Sequence, residues 1–223
     1  AVADRAERME KRAWEALRRI EKNPAMLGHD SDNTYAPAVE TTSDYREGIA
    51  GIDRPMITHE VGQWAVYPDV READQYTGPM KAYNLEIIRE FMAQKGTLDQ
   101  IADMVRASGE LSLLLYKEEI ESAMRTPGLA GFQLLGFHDH PPQGTSTIGI
   151  VTALRESKGI IAPEEFSEFC GPTVPLARLA RRTFTSAEAL SADVDVAHYG
   201  PSDLNDAVGV WRLVTASGDP IAE

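Results

Sequence analysis

Two short apolar runs, each closed by a cluster of polar side chains, constrain the fold of this chain more than any other feature. The first is Pro55-Met56-Ile57-Thr58, which runs into His59, Glu60, Gln63 and Trp64 gathered around Gly62. The second is Leu129-Ala130-Gly131-Phe132-Gln133-Leu134-Leu135-Gly136-Phe137, which ends in His138-Asp139-His140. Apolar runs of this length, bounded by Pro, Gly and polar residues, read as buried strands. Between them, Tyr83, Ile87, Ile88 and Phe91 predict a helix over 82–94 stopped by Gly96. Leu98, Ile101, Met104 and Val105 predict a second over 97–108 with Gly109 as its cap, and a third is expected over 110–125, ended by Thr126-Pro127-Gly128. Helix, strand and polar loop form the repeating unit of an α/β barrel, in which active sites collect at the carboxyl ends of the strands.

The flanks have a different character. Met9, Ala13, Trp14, Leu17 and Ile20 recur at helical spacing over 3–22, Pro24 ends that pattern, and 23–53 is a long polar connection with one short helical turn. After Pro163 a short helix is expected from Glu164 to Cys170. Beyond it, Thr183 to Thr185, Ala192 to Ala197 and Val208 to Val214 read as strands separated by turns, the pattern of a β-sandwich. The chain opens at Ala1 inside a helical pattern and stops at Glu223 soon after a Gly-Asp-Pro turn, so it is expected to be a segment of a longer polypeptide.

A net charge of −13 argues against a nucleic-acid partner, since phosphate binding needs a basic stripe. No apolar run approaches the roughly 20 residues that span a bilayer, and no signal-peptide pattern opens the chain. Cys170 is the only cysteine, which excludes a disulfide framework and a thiolate metal cluster. A soluble protein, cytoplasmic or exported without disulfides, fits these limits.

Glu60 is the first candidate for chemistry. A carboxylate held at a rigid strand end can attack an anomeric carbon, with its partner acid roughly 5–5.5 Å away in a retaining glycosidase. A solvated Glu at a strand–loop junction is the plain alternative. His59, Gln63 and Trp64 share its loop: Trp stacks on sugar faces and Gln bonds hydroxyls, although a half-buried Trp that packs the loop down explains Trp64 equally well. His138 and Asp139, with Gln133 on the strand before them, are expected at the same mouth. His138 and His140 lack a defined third ligand, so a zinc site is disfavoured. Tyr116-Lys117-Glu118-Glu119 reads as a helix start with a solvated charge face. None of this chemistry requires a cofactor or a metal.

These residues bring a resemblance. Pro55-Met56-Ile57-Thr58-His59-Glu60-Val61-Gly62 resembles the Pro-Ile-Ile-x-x-Glu-Tyr-Gly motif that ends the seventh barrel strand in the β-galactosidase/β-glucuronidase family of retaining glycosidases. Residues 131–139 are similar to the eighth strand, the β-rich tail to the sandwich that follows, and Arg125 to Gly128 to an Arg-Thr-Pro-Gly run of large bacterial members. The resemblance covers residues 40–223. It implies that 1–180 is the C-terminal part of a (β/α)8 TIM barrel and 181–223 the start of an immunoglobulin-like β-sandwich. It also implies that Glu60 is the nucleophile, with His59, Gln63, Trp64, Gln133, His138 and Asp139 binding a carbohydrate, and that the remainder of the parent polypeptide is a partner. There are departures. Val61 and Gln133 stand where aromatic residues are common, and the family's general acid, the Glu of an Asn-Glu pair, has no counterpart because this chain has no Asn-Glu dipeptide. Negligible hydrolysis by this chain alone is therefore expected. The competing expectation is a carbohydrate-binding or interaction protein that keeps the barrel mouth without catalysis.

Overall fold

A computed structural model describes residues 40–141 and 146–222; the helix expected over 3–22 lies outside them. The two apolar runs form strands β1 (Met56–Val61) and β2 (Leu129–Leu134), which pair in parallel with Ile57 opposite Gly131, Thr58 opposite Phe132 and Val61 opposite Leu134. Parallel strands need a long crossover. Here it consists of helix α2 (Tyr83–Lys95), a 3-10 turn at Leu98–Gln100 and helix α3 (Ile101–Met124), and it follows a four-residue helix α1 (Arg46–Ile49) that lies ahead of β1. Gly96 ends α2 with a left-handed φ of 68°, as its position predicts.

One expectation about the crossover is corrected. Gly109 does not divide two helices; it lies inside the single helix α3. A Cβ at this position would come within 2.5 Å of Ile160 Cγ2, so the glycine makes a notch for a packed side chain. Sequence pattern cannot separate a glycine that ends a helix from one that admits a neighbour.

Thr58 and Val61 are buried on the α3 side of the sheet, where Val61 joins Tyr116, Ile120, Ile150 and Phe169 in a core flanked by Phe132 and Leu134. The other side of the sheet presents Ile57, His59 and Gln133 at the surface. A second core, of Val66, Val70, Met92, Ile101 and Val105, seats the loop after β1 against the crossover helices.

Helix α4 (Pro163–Phe169) leads to β3 (Thr173–Arg178), which pairs antiparallel with β4 (Asp193–His198) from Thr173 opposite His198 to Arg178 opposite Asp193. This ladder joins residues on either side of 180/181, and Val174 and Leu176 carry it against Met124 of α3. The tail holds only the hairpin β5 (Leu213–Val214) and β6 (Pro220–Ala222). The strand expected over Thr183–Thr185 is absent, and the one expected over Val208–Val214 shrinks to its last two residues. Val208, Val210 and Trp211 are exposed, and an extended segment becomes a strand only when a neighbour accepts its backbone hydrogen bonds. Among the described residues no helix is long and apolar enough to cross a membrane.

Buried charge locks these parts together. Arg125, fully buried at the end of α3, pairs with Glu118 and Glu121, and Arg182 reaches the other oxygen of Glu118 at 3.1 Å. Arg125 Nε donates to Ser43 O at 3.0 Å, while Arg178 donates to Arg125 O and to Asp44. Removing Arg125 takes away the one cation shared by both buried carboxylates, leaving Glu118 to Arg182 and Glu121 to Lys117. Arg125→Met is expected to lower the unfolding free energy by about 3–5 kcal/mol in a urea titration, against little change for the exposed Arg106→Met.

Candidate active site

The geometry at the end of β1 begins with its backbone. Glu60 has φ 61° and Gly62 φ 88°. A left-handed non-glycine residue costs roughly 1–3 kcal/mol and persists only where surrounding contacts hold it. Those contacts come from one stripe of α3, at i, i+4 and i+7. Ser112 Oγ donates to Trp64 O at 2.8 Å. The Tyr116 ring occupies the place of a Gly62 Cβ, which would fall 2.0 Å from Cε1, and its hydroxyl donates to Ile148 O at 2.7 Å. Glu119 Oε2 accepts both Gly62 N–H, at 2.8 Å, and Trp64 Nε1–H, at 2.7 Å.

The expectation of a solvated charge face at 116–119 is thereby corrected. These residues lie in mid-helix, Tyr116 and Glu118 are buried, and burial pushes the Tyr116 phenol well above its ordinary value. Their signal in the sequence was the spacing Ser112-Tyr116-Glu119, which places polar groups on a face that also carries buried residues. Charge alone pointed the other way.

Ahead of that clamp, four of the expected site residues come together. Gln63 Nε2 donates to Glu60 Oε2 at 3.1 Å and to its carbonyl at 3.3 Å. His59 Nε2 lies 3.7 Å from Glu60 Oε1, while His59 Nδ1 meets Gln133 Oε1 of β2 at 3.0 Å. With Nδ1 donating to the Gln133 carbonyl, Nε2 is the nitrogen left facing the carboxylate. The result is a line of Gln133, His59, Glu60 and Gln63 across the ends of both strands, with the Glu60 carboxylate about half exposed.

The other three lie elsewhere. Trp64 turns its indole to Glu119 and packs on the core, the arrangement of a loop anchor. His138 Nδ1 meets Asp139 O at 2.9 Å, and its ring centroid is 4.9 Å from that of His140. Asp139 is buried, and its Oδ1 accepts Gly149 N–H at 2.8 Å and Lys158 Nζ at 2.7 Å. Neither 138 nor 139 supplies a hydrogen-bond or ion-pair partner to Glu60. No group of three or more His, Cys, Asp or Glu among the described residues is arranged to hold a metal ion.

Asp139 instead lines two adjoining cavities of about 240 and 230 Å³, sharing both walls with Glu72 and Thr147. Burial first, and the nearby Asp139 charge second, raise the Glu72 carboxyl to about 7. Glu72 sits in a 3-10 turn (Val70–Gln75) with charged neighbours, and nothing in the sequence sets it apart. No protein-family model matches this chain, and no curated protein is similar to it.

The clamp can be tested by changing one acceptor. Both of its bonds go to one oxygen, so Glu119→Gln keeps an acceptor for them while Glu119→Ala leaves two donors unpaired. The expected outcome is a loss of about 1–3 kcal/mol for Ala and less than half of that for Gln, with the Trp64 indole N–H resonance shifted only by Ala. Glu72 has a separate pH signature. Its folded value lies above the unfolded 4.5, so its contribution to stability is full below 4.5, declines as pH rises to 7, and changes no further above. Over that window wild-type stability is expected to fall relative to Glu72→Gln, read from urea midpoints across pH.

Proposed function

We propose that this chain is part of a retaining β-glycosidase, with Glu60 as the nucleophile that forms the covalent glycosyl-enzyme. The observation that carries this reading is the Glu60 carboxylate at the C-terminal end of a parallel strand, linked through His59 to Gln133 at the end of the next. Catalytic side chains of α/β barrels occupy that position. A β1–crossover–β2 unit supplies two of the eight strands of such a barrel, and the exposed side with Ile57, His59 and Gln133 corresponds to its interior. The remainder of the barrel would then be the partner that covers it, and β4 to β6, within 181–223, would belong with the sandwich that follows.

In this reading each residue has a definite task. Gln63 fixes one carboxylate oxygen and leaves Oε1 for attack. His59 holds its ring through Gln133 and places Nε2 beside Glu60. The Glu119 clamp preserves the left-handed backbone that aims the carboxylate. Attack of Glu60 on the anomeric carbon breaks the glycosidic bond, and the departing oxygen takes a proton from an acid that this sequence does not supply. Water then releases the sugar.

A substrate with an activated leaving group bypasses that missing proton donor. A dinitrophenyl fluoroglycoside is expected to leave a fluoroglycosyl adduct on Glu60, seen by intact mass and peptide mapping, and Glu60→Gln is expected to carry none. The 223-residue chain and any longer polypeptide containing it are both assayed, and nitrophenyl glycosides are expected to turn over negligibly with the shorter one. Saturable sugar binding without an adduct in either would favour a binding module. Strong turnover that survives Glu60→Gln would sink the nucleophile assignment.

A further inference from the structure

The cavities beside Asp139 are built from the segments that follow β1 and β2 together with residues of α2 and α3, and Glu60 lines neither of them. The first is polar. Two of its four carboxyl groups are matched by cations within the wall: Asp69 takes Arg71 through Nε at 2.7 Å and Nη2 at 2.6 Å, and Asp139 takes Lys158, whereas Glu156 accepts only the neutral Gln75 amide at 3.2 Å. What that wall offers a guest is a set of polar donors and acceptors in which carboxyl groups outnumber cations. The second cavity is faced mainly by apolar groups of Tyr76, Met80, Ala82, Leu85 and Ala153, with Lys81 and Asn84 also in its wall. Glu72, Asp139 and Thr147 stand at the waist between them. Among the described residues Glu72 has no side-chain hydrogen bond or ion pair, and both bonds to Asp139 go to Oδ1.

We infer that the two cavities form one binding site for a small amphiphile, with its neutral, hydroxyl-rich head in the polar cavity, its apolar tail in the other, and Glu72 donating a hydrogen bond at the junction. The wall is fixed before any guest arrives. Val66 N–H donates to Thr147 O at 3.0 Å, the Thr147 hydroxyl returns a bond to Val66 O, and Lys158 Nζ also donates to Thr147 O at 3.2 Å. A preformed cavity with an apolar lobe and a few placed polar groups is the ordinary form of a small-molecule site. An anionic head is opposed by Glu156, and by Glu72 once it ionises.

The junction responds to pH. Burial is the first cause that raises the Glu72 carboxyl; the Asp139 charge raises it further, Lys158 opposes it, and Asp69 and Glu156 add to it, while Arg71, Tyr76 and Lys81 line the same cavities. Their balance keeps the carboxyl protonated up to about 7, so it donates below that pH and repels lone pairs above it. The site is independent of whether Glu60 attacks a glycoside.

Octyl β-glucoside below its micelle concentration is the probe, titrated into the full chain by calorimetry. Saturable binding is expected in the millimolar range or tighter, with affinity falling about tenfold for each pH unit above 7. Glu72→Gln is expected to keep the binding and lose its pH dependence. Ala153→Phe, which fills the apolar lobe, is expected to abolish binding while circular dichroism stays unchanged. No saturable binding in the wild type overturns the proposal, and so does binding that Ala153→Phe leaves intact. Octylammonium binding more tightly than the glucoside, and strengthening as pH rises, would replace the hydroxyl-rich head with a cation and overturn the assignment of the guest.

Discussion

One oxygen of Glu119 governs the ground on which the candidate site stands. It takes the backbone N–H of Gly62 and the indole N–H of Trp64, and so sets the direction in which the chain leaves β1. The Tyr116 ring enforces the same path by steric exclusion, since only glycine fits against it at position 62. Without these contacts the left-handed backbone of Glu60 would relax, and its carboxylate would lose its fixed relation to His59 and Gln133. A strained residue at a strand end, held by a helix behind it, is how a scaffold gives one side chain a defined aim.

The same helix anchors the rest of the described chain. Its last turn buries Arg125 among Glu118, Glu121 and Ser122, and backbone carbonyls from 43 and side chains from 178 and 182 close over it. Thr41 adds backbone and hydroxyl bonds to 177 and 179. Segments far apart in the sequence therefore meet at the end of α3. A buried ionic network of this kind adds little net stability over an apolar core, but it allows few alternative arrangements because each misplacement strands a charge. That specificity matters where the sheet offers just two strands.

The loops above the strands divide the chemistry between two places. The end of β1 carries an open, half-exposed carboxylate braced by Gln63 and His59. The region around Asp139 encloses its charge, pairs it with Lys158 and leaves Glu72 to carry the excess as a proton. The first arrangement keeps a carboxylate accessible, whereas the second raises a carboxyl into the neutral range by burial and a like-charged neighbour. They differ in exposure more than in residue type.

The strands, the helices around them and the cluster at Glu60 were legible in the sequence because they are local. Apolar runs set β1 and β2, helical periodicity set α2 and most of α3, and His59, Glu60 and Gln63 lie within a few residues of one another. Partnership across the fold was not legible. Gly109 differs from a capping glycine only through Ile160, Glu118 and Glu119 from solvated acids only through Arg125, Gly62 and Trp64, and Glu72 from any loop carboxylate only through Asp139. In the tail, Val208 to Trp211 have the residue types of a strand and no neighbour to pair with among the described residues. The amino-acid order by itself determined which segments want to be buried and in what local form. Tertiary structure alone decided which charges lost their water and which polar groups found partners, because both depend on neighbours that sequence separation conceals.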